Sequence, residues 1–501
     1  MLKILRSTVK SSVIYSFGNL SSRLVGFILI PLYTTHLSVT EYGIMGMLEI
    51  SAQFIIALLG MGLYNALFRW YWDEKYKGQQ KSILFTITVT IIGLSLLLSI
   101  PIYLYKELLA NFLLNSAQFS NLIVLLFVLA TIEVLNVLVA TIIRIKDKPV
   151  FFSVLMLIKL LVSLSLNIYF VVYRDKSVAG VYYAQISGAF VYLLFSTIFI
   201  LKEMEFSFKK SILIEMLYYS IPLLIVALTG IVLNITDRYV LKYFTNLGEV
   251  GIYNLGFKIS NTIRVFVIAS VNMALQPMIF KMINQPNNKR FYSKVMTYFS
   301  FVLMIFVLGV SAFGKEIIEL ISRNPSYNTA YQIIPIISLS MFFTMLRDTA
   351  LTGINISKKT YITTRIIFIT MVSNVFLSII FIKYFGFIGA AVSITIAQFL
   401  FFVLAYHYSQ KVYYIPYEIK KITLIVFVAF LLYIGTLFTN GLDIIPRVII
   451  KSLIVISLPF ILFLLGFYEP IEIERIKGFW VKWSKFGNIK DNFNSTNNKE
   501  S

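Results

Sequence analysis

Long hydrophobic runs follow one another along almost the whole chain, separated by short polar loops. Each run has about the 20 residues that an α-helix needs to cross the hydrocarbon core of a bilayer. The pattern therefore predicts an all-α polytopic membrane protein. Fourteen membrane-spanning helices, here called spans 1 to 14, are expected near residues 12–35, 43–65, 82–105, 119–143, 150–173, 178–201, 212–236, 250–280, 293–313, 327–353, 362–382, 387–408, 422–438 and 448–467.

Lys and Arg are distributed unevenly over the loops that connect these spans. With the N-terminus inside, the inner loops and tails carry about three times as many basic residues as the outer loops. Because cytoplasmic loops of membrane proteins are enriched in Lys and Arg, both termini are predicted to be cytoplasmic. The same asymmetry explains most of the net charge of +21 without nucleic acid as a partner.

Composition narrows the class of protein further. The chain is 58% hydrophobic with a mean hydropathy of +0.83, far outside the range of soluble domains. It contains no cysteine, and His36 and His407 stand apart from each other, so we expect no metal site. The short loops leave no room for an extramembrane catalytic domain, and the sequence carries no phosphate-binding loop or nucleophile motif. The protein is therefore predicted not to be an enzyme and to have no cofactor.

Seven basic residues lie inside the predicted spans. A charged side chain at the centre of a membrane helix costs roughly 2.5 to 3.5 kcal/mol, and such residues usually face a hydrated cavity or a polar partner. Only three acidic residues, Glu49, Glu133 and Asp348, lie comparably deep. The surplus of bases predicts a positively charged cavity and an anionic substrate. The seven bases are Arg23, Lys159, Lys258, Arg264, Arg347, Arg365 and Lys451.

Span 8 carries a stripe of polar residues that falls within an arc of about 120° on a helical wheel. The stripe is interpreted as one wall of a hydrophilic passage; the alternative is a helix packed against polar neighbours. The passage is favoured because packing stripes more often use Ser, Thr and Gly than Lys and Arg. Its members are Asn254, Lys258, Asn261, Arg264, Asn272 and Gln276.

Span 1 carries a second polar stripe, which ends at Arg23, and Pro31 lies two turns further on. Proline removes a backbone hydrogen bond, so a bend is expected there. Whether the bend is mobile, as in transporters with interrupted helices, or a static kink is left open by the sequence.

Two interpretations are open for the deep acids. Glu49, Glu133 and Asp348 are candidates for coupling transport to a proton or sodium gradient. In the alternative, which is slightly favoured, Glu49 and Glu133 form ion pairs with Arg23 and Lys159 in the same half of the chain. Both interpretations place the carboxylates inside the helix bundle.

The remaining embedded bases are assigned by helical geometry. Arg347 and Asp348 are consecutive in span 10, and successive helical positions point about 100° apart, so the two are expected not to pair. Arg365 and Lys451 lie near the ends of their spans. Their long side chains are expected to reach the membrane interface.

An internal duplication accompanies the helices. Residues 41–44 (EYGI) reappear as 249–252 (EVGI) at an offset of 208, and Asn167 corresponds to Asn374 at an offset of 207. An even number of spans in each repeat predicts a pseudo-two-fold axis along the membrane normal. The predicted parts are an N-terminal six-helix lobe (1–205), a C-terminal six-helix lobe (206–410), two additional helices (411–468) and a cytoplasmic tail (469–501).

Two stretches, residues 37–71 and 236–260, resemble the O-antigen and capsule repeat-unit flippases of bacterial envelopes. The residues that carry the resemblance are Tyr42-Gly43, Gly62-Leu63 and Arg69 in the first stretch, and Asp237-Arg238 and Gly251-Ile252-Tyr253 in the second. The Asp237-Arg238 pair is expected to close span 7 near the outer surface and to orient the helix end or gate the lobes. An exposed ion pair at that place would contribute little stability.

The resemblance implies the fold of the multidrug and toxin extruders, in the multidrug/oligosaccharidyl-lipid/polysaccharide exporter superfamily. It also implies a flippase in the bacterial cytoplasmic membrane, whose substrate is an oligosaccharide on undecaprenyl pyrophosphate. Polysaccharide polymerases and glycosyltransferases would be its partners, and a proton or sodium gradient or the membrane potential its energy source. The alternatives are an ion-coupled multidrug antiporter of the same fold and, less favoured, a membrane polysaccharide polymerase.

Charge and resemblance together select the candidate residues. Arg groups suit phosphate oxygens because the planar guanidinium binds two at once, whereas amide side chains suit sugar hydroxyls. The predicted substrate-binding residues are Arg264, Lys258 and Arg23 first, Arg347 and Lys159 second, and Asn254 and Asn261.

Overall fold

The computed structural model describes residues 26–474, and within them every regular element is helical. The helices of the first part are α1 (26–36), α2 (Val39–Gly60), α3 (Leu63–Trp72), α4 (Gln80–Leu104), α5 (Lys106–Leu114), α6 (Ser120–Ile145), α7 (Pro149–Asn167), α8 (Ser177–Lys202) and α9 (Lys210–Phe244). Short 3₁₀ turns join some of them, and a π-helical segment, Ile168–Tyr173, continues α7.

The second part repeats this pattern with more interruptions. Its helices are α10 (Leu247–Thr262), α11 (Ala269–Lys281), α12 (Asn288–Ala312), α13 (Gly314–Ile321), α14 (Ile334–Ala350), α15 (Thr352–Ile356), α16 (Tyr361–Val412), α17 (Ile419–Leu437) and α18 (Ile444–Leu464). A second π-helical segment, Ile263–Ile268, joins α10 to α11. The prediction of an all-α fold is confirmed.

Eleven helices among the described residues are long and apolar enough to cross a membrane. One of them, α16, contains two predicted spans, since Gly386 interrupts it with φ +52° and ψ −133°. Span 8 is divided into α10 and α11 by the π-helical segment. With α1 as the described end of span 1, the structure is compatible with fourteen spans, and a multi-pass membrane protein is confirmed.

Glycine is required at position 386 for two reasons. Its backbone lies in the left-handed region, which other residues rarely adopt. A Cβ atom there would also lie 2.5 Å from Oε2 of Glu249, which accepts a hydrogen bond from the Phe387 backbone N–H at 3.0 Å. The glycine thus lets one carboxylate cap the second half of α16.

Apolar residues pack in the interior and also cover the lipid-facing surface. In the N-terminal part, a buried cluster of aliphatic residues from α2, α3, α4 and α6 includes Leu59, Leu63, Ile83 and Ile143. Many other large apolar side chains are exposed, among them Leu97 of α4. A hydrocarbon solvent removes the pressure to bury such residues, so exposure is expected on membrane helices.

The described chain divides into two compact units. One unit comprises residues 26–289 and 314–415 and contains the candidate functional site. The other comprises 290–313 and 416–474, where Lys294 lies 3.0 Å from Glu418 and also pairs with Glu469 and Glu472. The predicted lobe boundaries at 205, 410 and 468 stay predictions.

Candidate functional site

Helices α2 and α10 cross at two glycines that the internal duplication relates. A Cβ atom on Gly43 would overlap the carbonyl oxygen of Leu247, and one on Gly251 would overlap that of Val39. Each hypothetical Cβ would also lie 3.1 Å from the backbone nitrogen of the opposite glycine. The contacts are reciprocal, which is how a two-fold relation between two segments appears at its axis. This contact is called the glycine crossing.

Two further pairs follow the glycine crossing along the same faces of the helices. Next to it, a Cβ atom on Gly46 would lie 2.7 Å from Nδ2 of Asn254. One turn further, Nζ of Lys258 donates a hydrogen bond of 2.9 Å to Oε1 of Glu49. Pairs that lie farther from the crossing have longer side chains, which indicates that the two helix axes move apart in that direction. The three pairs form the axial seam: Gly43 with Gly251, Gly46 with Asn254, and Glu49 with Lys258.

The glutamates of the duplicated motif make equivalent contacts outside the seam. Glu41 accepts a hydrogen bond from the hydroxyl of Ser177, at the start of α8. Glu249 accepts one from the backbone N–H of Phe387, at the start of the second half of α16. Each carboxylate therefore holds the beginning of a later helix in its own half of the chain.

The two duplicated asparagines are also buried and bonded to neighbouring helices. Oδ1 of Asn167 accepts a hydrogen bond of 2.8 Å from the hydroxyl of Tyr33 in α1. Nδ2 of Asn374 donates one of 3.0 Å to the carbonyl of Leu233 in α9. Both contribute to packing rather than to an open surface.

A cavity of about 630 Å³ lies at the end of the axial seam. It is bounded by α1, α2, α10, α11, α14 and the π-helical segment between α10 and α11. Polar and charged side chains occupy much of its wall, with Phe27 and Ile30 among the apolar members. The polar and charged wall residues include Glu49, Lys258, Asn261, Arg264, Asn272 and Asp348.

Arg264 lies on the π-helical segment Ile263–Ile268 and is exposed at the cavity wall. An insertion of this kind rotates the following residues relative to a continuous α-helix, and π-helical turns frequently occur at functional sites. Lys258, Arg264 and Asn272 of the span 8 stripe nevertheless all line the cavity. The side chain of Gln276, the last member, lies outside the described part.

Each of the three deep acids is paired with one embedded base. Lys159 Nζ lies 2.6 Å from Glu133, so the interpretation that favoured this ion pair agrees with the structure. Glu49 pairs instead with Lys258, which belongs to the other predicted lobe. Its expected partner, Arg23, lies outside the described residues. Neither Glu133 nor Lys159 lines the cavity.

The expectation that Arg347 does not pair with Asp348 is wrong. Both Nε and Nη2 of Arg347 donate to Oδ1 of Asp348, at 3.0 and 2.8 Å. Its Nη1 reaches Oε1 of Gln398 at 3.0 Å, and the guanidinium lies 4.7 Å from the ring centre of Phe401. Successive Cα–Cβ bonds do diverge on a helix, but a side chain with four rotatable bonds can turn back toward its neighbour.

The cavity wall is therefore less positive than the sequence suggested. Its described members include two bases and two acids, and the acids belong to the Glu49–Lys258 and Asp348–Arg347 ion pairs. The two bases are Lys258 and Arg264, and Arg347, the partner of Asp348, is not among the lining residues. Among the embedded bases that the structure describes, Lys159, Lys258 and Arg347 form local ion pairs.

Asp237 and Arg238 are buried inside the bundle, and they do not close their helix as predicted. Helix α9 continues to Phe244, and the two side chains are 0% and 5% exposed. Asp237 accepts a hydrogen bond from the hydroxyl of Tyr253, and Arg238 lies 4.4 Å from the ring centre of Phe257. The pair therefore fastens α9 to α10.

The other predicted residues lie away from the cavity. Asn254 is 2% exposed and belongs to the axial seam. Arg365 is exposed one turn from the start of α16, near Tyr361, as a residue at a helix end should be. Lys451, expected at the interface, is instead 2% exposed and donates a hydrogen bond of 3.0 Å to Asn440.

Sequence reasoning missed two features of the site. It did not identify Gln398 or Phe401 as partners of Arg347, because they lie about fifty residues further along the chain. It noted Gly43 and Gly251 only as markers of duplication. Glycine at corresponding positions of both repeats was the available signal that two backbones approach closely there.

Two solved structures of membrane proteins resemble this fold. A structure described as the lipid II flippase MurJ in an inward closed conformation matches with a TM-score of 0.74 and 16% identity. The match covers 90% of this chain and 99% of that one. An inward-facing multidrug resistance transporter of the MATE family and MOP superfamily matches with a TM-score of 0.63 and 16% identity, covering 79% and 94% of the two chains. At these identities the likeness shows a fold similar to that of both structures.

Sequence comparison gives a relative and a family. An uncharacterized membrane protein of Methanocaldococcus jannaschii is 24% identical over 280 residues, and the chain spans about half, 54%, of that relative's length. The family model described as polysaccharide biosynthesis protein matches residues 8–283, a range that includes the whole axial seam. Since this match covers more than half of the sequence, the chain belongs to the polysaccharide biosynthesis protein family.

Proposed function

We propose that the protein is a flippase that moves an oligosaccharide linked to polyprenyl pyrophosphate across the cytoplasmic membrane, for cell-surface polysaccharide biosynthesis. The observation that carries the proposal is the cavity at the end of the axial seam, where Lys258, Arg264 and two asparagines meet inside a bundle of membrane helices. Membership of a polysaccharide biosynthesis family supports a saccharide as part of the substrate.

The physical problem that such a protein solves is the passage of a charged headgroup through hydrocarbon. A diphosphate without polar partners is very costly to transfer from water to an apolar medium. Hydrogen bonds from a guanidinium and an ammonium to phosphate oxygens are short and strong, and they compensate for lost water. In this proposal Arg264 and Lys258 bind the diphosphate, while Asn261 and Asn272 bind sugar hydroxyls.

The size of the cavity suits a headgroup rather than the whole lipid. Pockets for small molecules typically have volumes of about 300 to 1,000 Å³, and this cavity has about 630 Å³. The polyprenyl chain has no need of a polar path and remains in the bilayer. Transport then requires only that the headgroup exchange sides.

Alternating access would follow from movement at the axial seam. The seam is closed at the glycine crossing, and its helices diverge toward the cavity. Given cytoplasmic termini, as the loop charges predict, the crossing lies toward the outer surface, because α2 and α10 both begin there. Opening the crossing would then release the headgroup outward.

Several further properties belong to the same proposal. The carrier is undecaprenyl pyrophosphate, and the partners are the polymerases and glycosyltransferases that use the product or make the substrate. Transport is driven by a proton or sodium gradient or by the membrane potential, with Glu49, Glu133 and Asp348 as the candidates for ion coupling. No bound cofactor is required.

The test is export of the saccharide in cells whose only copy of the gene carries Arg264→Ala. We expect export to fall sharply while the abundance of the protein in the membrane is unchanged, and lipid-linked oligosaccharide to accumulate on the inner leaflet. Arg365→Ala is the matched control, because this arginine is exposed near a helix end and outside the cavity. Normal export by Arg264→Ala would refute the site.

The same cells distinguish the antiporter alternative. A multidrug antiporter of this fold would confer resistance to cationic drugs, and its activity would depend on buried acids rather than on Arg264. Drug resistance that survives Arg264→Ala, together with unchanged saccharide export after deletion of the gene, would favour the antiporter.

A further inference from the structure

The ion pair between Glu49 and Lys258 occupies an unusual position. Both residues line the cavity, and their side chains are 32% and 23% exposed. The pair joins α2 to α10, whereas Lys159–Glu133 joins two helices of the N-terminal part only. The ammonium of Lys258 also lies 5.3 Å from the ring centre of Tyr42. Breaking this pair would therefore remove a link between the two repeats.

The pair is the member of the axial seam that meets the cavity. Glu49 follows Gly43 by six residues and Lys258 follows Gly251 by seven, which is roughly 9 to 10 Å along each helix. Farther from the cavity, the seam consists of backbone contacts between the glycines and of the side-chain amide of Asn254. A ligand in the cavity cannot reach these contacts. An anion that enters the cavity therefore finds Lys258 already hydrogen-bonded to Glu49.

A carboxylate and a phosphate compete for the same donor. The ammonium of lysine is a compact charge with three N–H donors, and it binds either anion through short charge-assisted hydrogen bonds. An incoming diphosphate carries more negative charge than one carboxylate, and Arg264 on the same wall adds to its attraction. Two anions crowded on one ammonium repel each other, so the diphosphate displaces the carboxylate.

We propose that Glu49 is an internal anion that occupies Lys258 in the empty cavity, and that the anionic headgroup displaces it and thereby releases the axial seam. The inference rests on the proposed function and adds the link between substrate and gate. Substrate binding opens the glycine crossing because it removes the side-chain bond nearest the cavity. An empty protein stays closed, since Glu49 then returns to Lys258.

A disulfide across the glycine crossing reports whether the seam is closed. The sequence has no cysteine, so an introduced pair has no background. A Cβ atom on Gly248 would lie 3.8 Å from Oγ1 of Thr40, the atom whose place a cysteine sulfur would take, so side chains at these two positions approach closely. The reporter is Thr40→Cys with Gly248→Cys in purified full-length protein, and the probe is inorganic pyrophosphate at constant ionic strength.

The reporter is expected to cross-link readily when the cavity is empty and more slowly with pyrophosphate. Glu49→Gln should slow cross-linking without any anion, by roughly two- to fivefold, the range for partly exposed ion pairs. Lys258→Gln should slow it equally, since it removes the same bond. The two variants should differ in affinity: Glu49→Gln binds pyrophosphate more tightly than the parent, and Lys258→Gln more weakly.

The opposite effects on binding exclude damage to folding as the cause, because a misfolded variant gains no affinity. Glu203→Gln is the matched control, since it removes an acid from an ion pair of similar length, with Lys146 at 2.7 Å, that does not cross the seam. The inference is overturned if Glu49→Gln cross-links as fast as the parent, or if it binds pyrophosphate no more tightly. Failure of the proposed function would appear separately, as normal export by Arg264→Ala.

Discussion

The glycine crossing predicts a specific effect for Gly43→Ala. The added methyl group would overlap the carbonyl oxygen of Leu247 and would lie 3.1 Å from the backbone nitrogen of Gly251. Backbone atoms of a helix cannot move aside as a flexible side chain can. The helices α2 and α10 must therefore separate, and the crossing should no longer close fully.

The change in the ratio of open to closed protein follows when the helix propensity of the new residue is considered separately from its contacts with the neighbouring helix. Alanine favours a helix over glycine by about 1 kcal/mol, but this gain is equal in the open and closed states and does not change their ratio. Overpacking costs about 1 to 3 kcal/mol, and it applies to the closed state alone. The ratio of open to closed protein should therefore rise by about 5- to 150-fold.

The disulfide between Thr40→Cys and Gly248→Cys measures this ratio as a rate of cross-linking. Gly43→Ala should slow the reaction, because the rate follows the closed fraction, which falls as the ratio of open to closed protein rises, with little change in Tm because propensity and overpacking partly cancel. Gly93→Ala is the control, since this glycine lies within α4 and a Cβ atom there would meet no other atom within 4 Å. Its cross-linking should equal that of the parent.

One result would refute the reasoning. If Gly43→Ala cross-links as fast as Gly93→Ala and exports saccharide normally, the close approach of α2 and α10 has no part in gating. Slow cross-linking with a collapse of Tm would show a folding defect instead, and Gly251→Ala then decides, because the reciprocal contact predicts the same slowing at the other end.

Other contacts predict measurable effects. Arg347→Met should lower Tm, because it leaves Asp348 without its two hydrogen bonds, a loss of about 1 to 3 kcal/mol; an unchanged Tm would contradict this. Gly386→Ala should cost about 1 to 3 kcal/mol in chemical unfolding, given its φ of +52°. Burial raises the pKa of Glu418, but hydrogen bonds and the charge of Lys294 lower it below its ordinary 4.5. A lowered pKa stabilises the fold above pH 4.5 and loses that effect as the pH falls through the folded value. Thermal stability should decline in acid, and less steeply after Lys294→Met.

Much of the fold could be predicted because hydrophobic spans and loop charges are local signals. The stripe of span 8 is an example: Lys258, Asn261, Arg264 and Asn272 share a helix face in the sequence pattern and line one cavity in the structure. The π-helical segment around Arg264 could not be predicted, since hydrophobic periodicity does not reveal where an extra residue is inserted.

Partners that lie in different repeats were harder to predict. Glu133 and Lys159 are 26 residues apart in neighbouring helices, and their ion pair was anticipated. Glu49 and Lys258 are 209 residues apart, and their contact depends on the register at which α2 and α10 cross. The glycine crossing is one of the contacts that fix that register.

The duplication explains how a nearly symmetric architecture produces an asymmetric site. Residues near a two-fold axis meet their own counterparts, as Gly43 meets Gly251 and Gly46 meets Asn254 at the offset of 208, whereas Glu49 and Lys258 are 209 residues apart and are not counterparts. The two repeats carry glycine at the crossing, where both backbones must approach, and opposite charges where the seam meets the cavity. The ion pair is thus a contact that the two-fold relation does not repeat, and it lies where the seam meets the cavity.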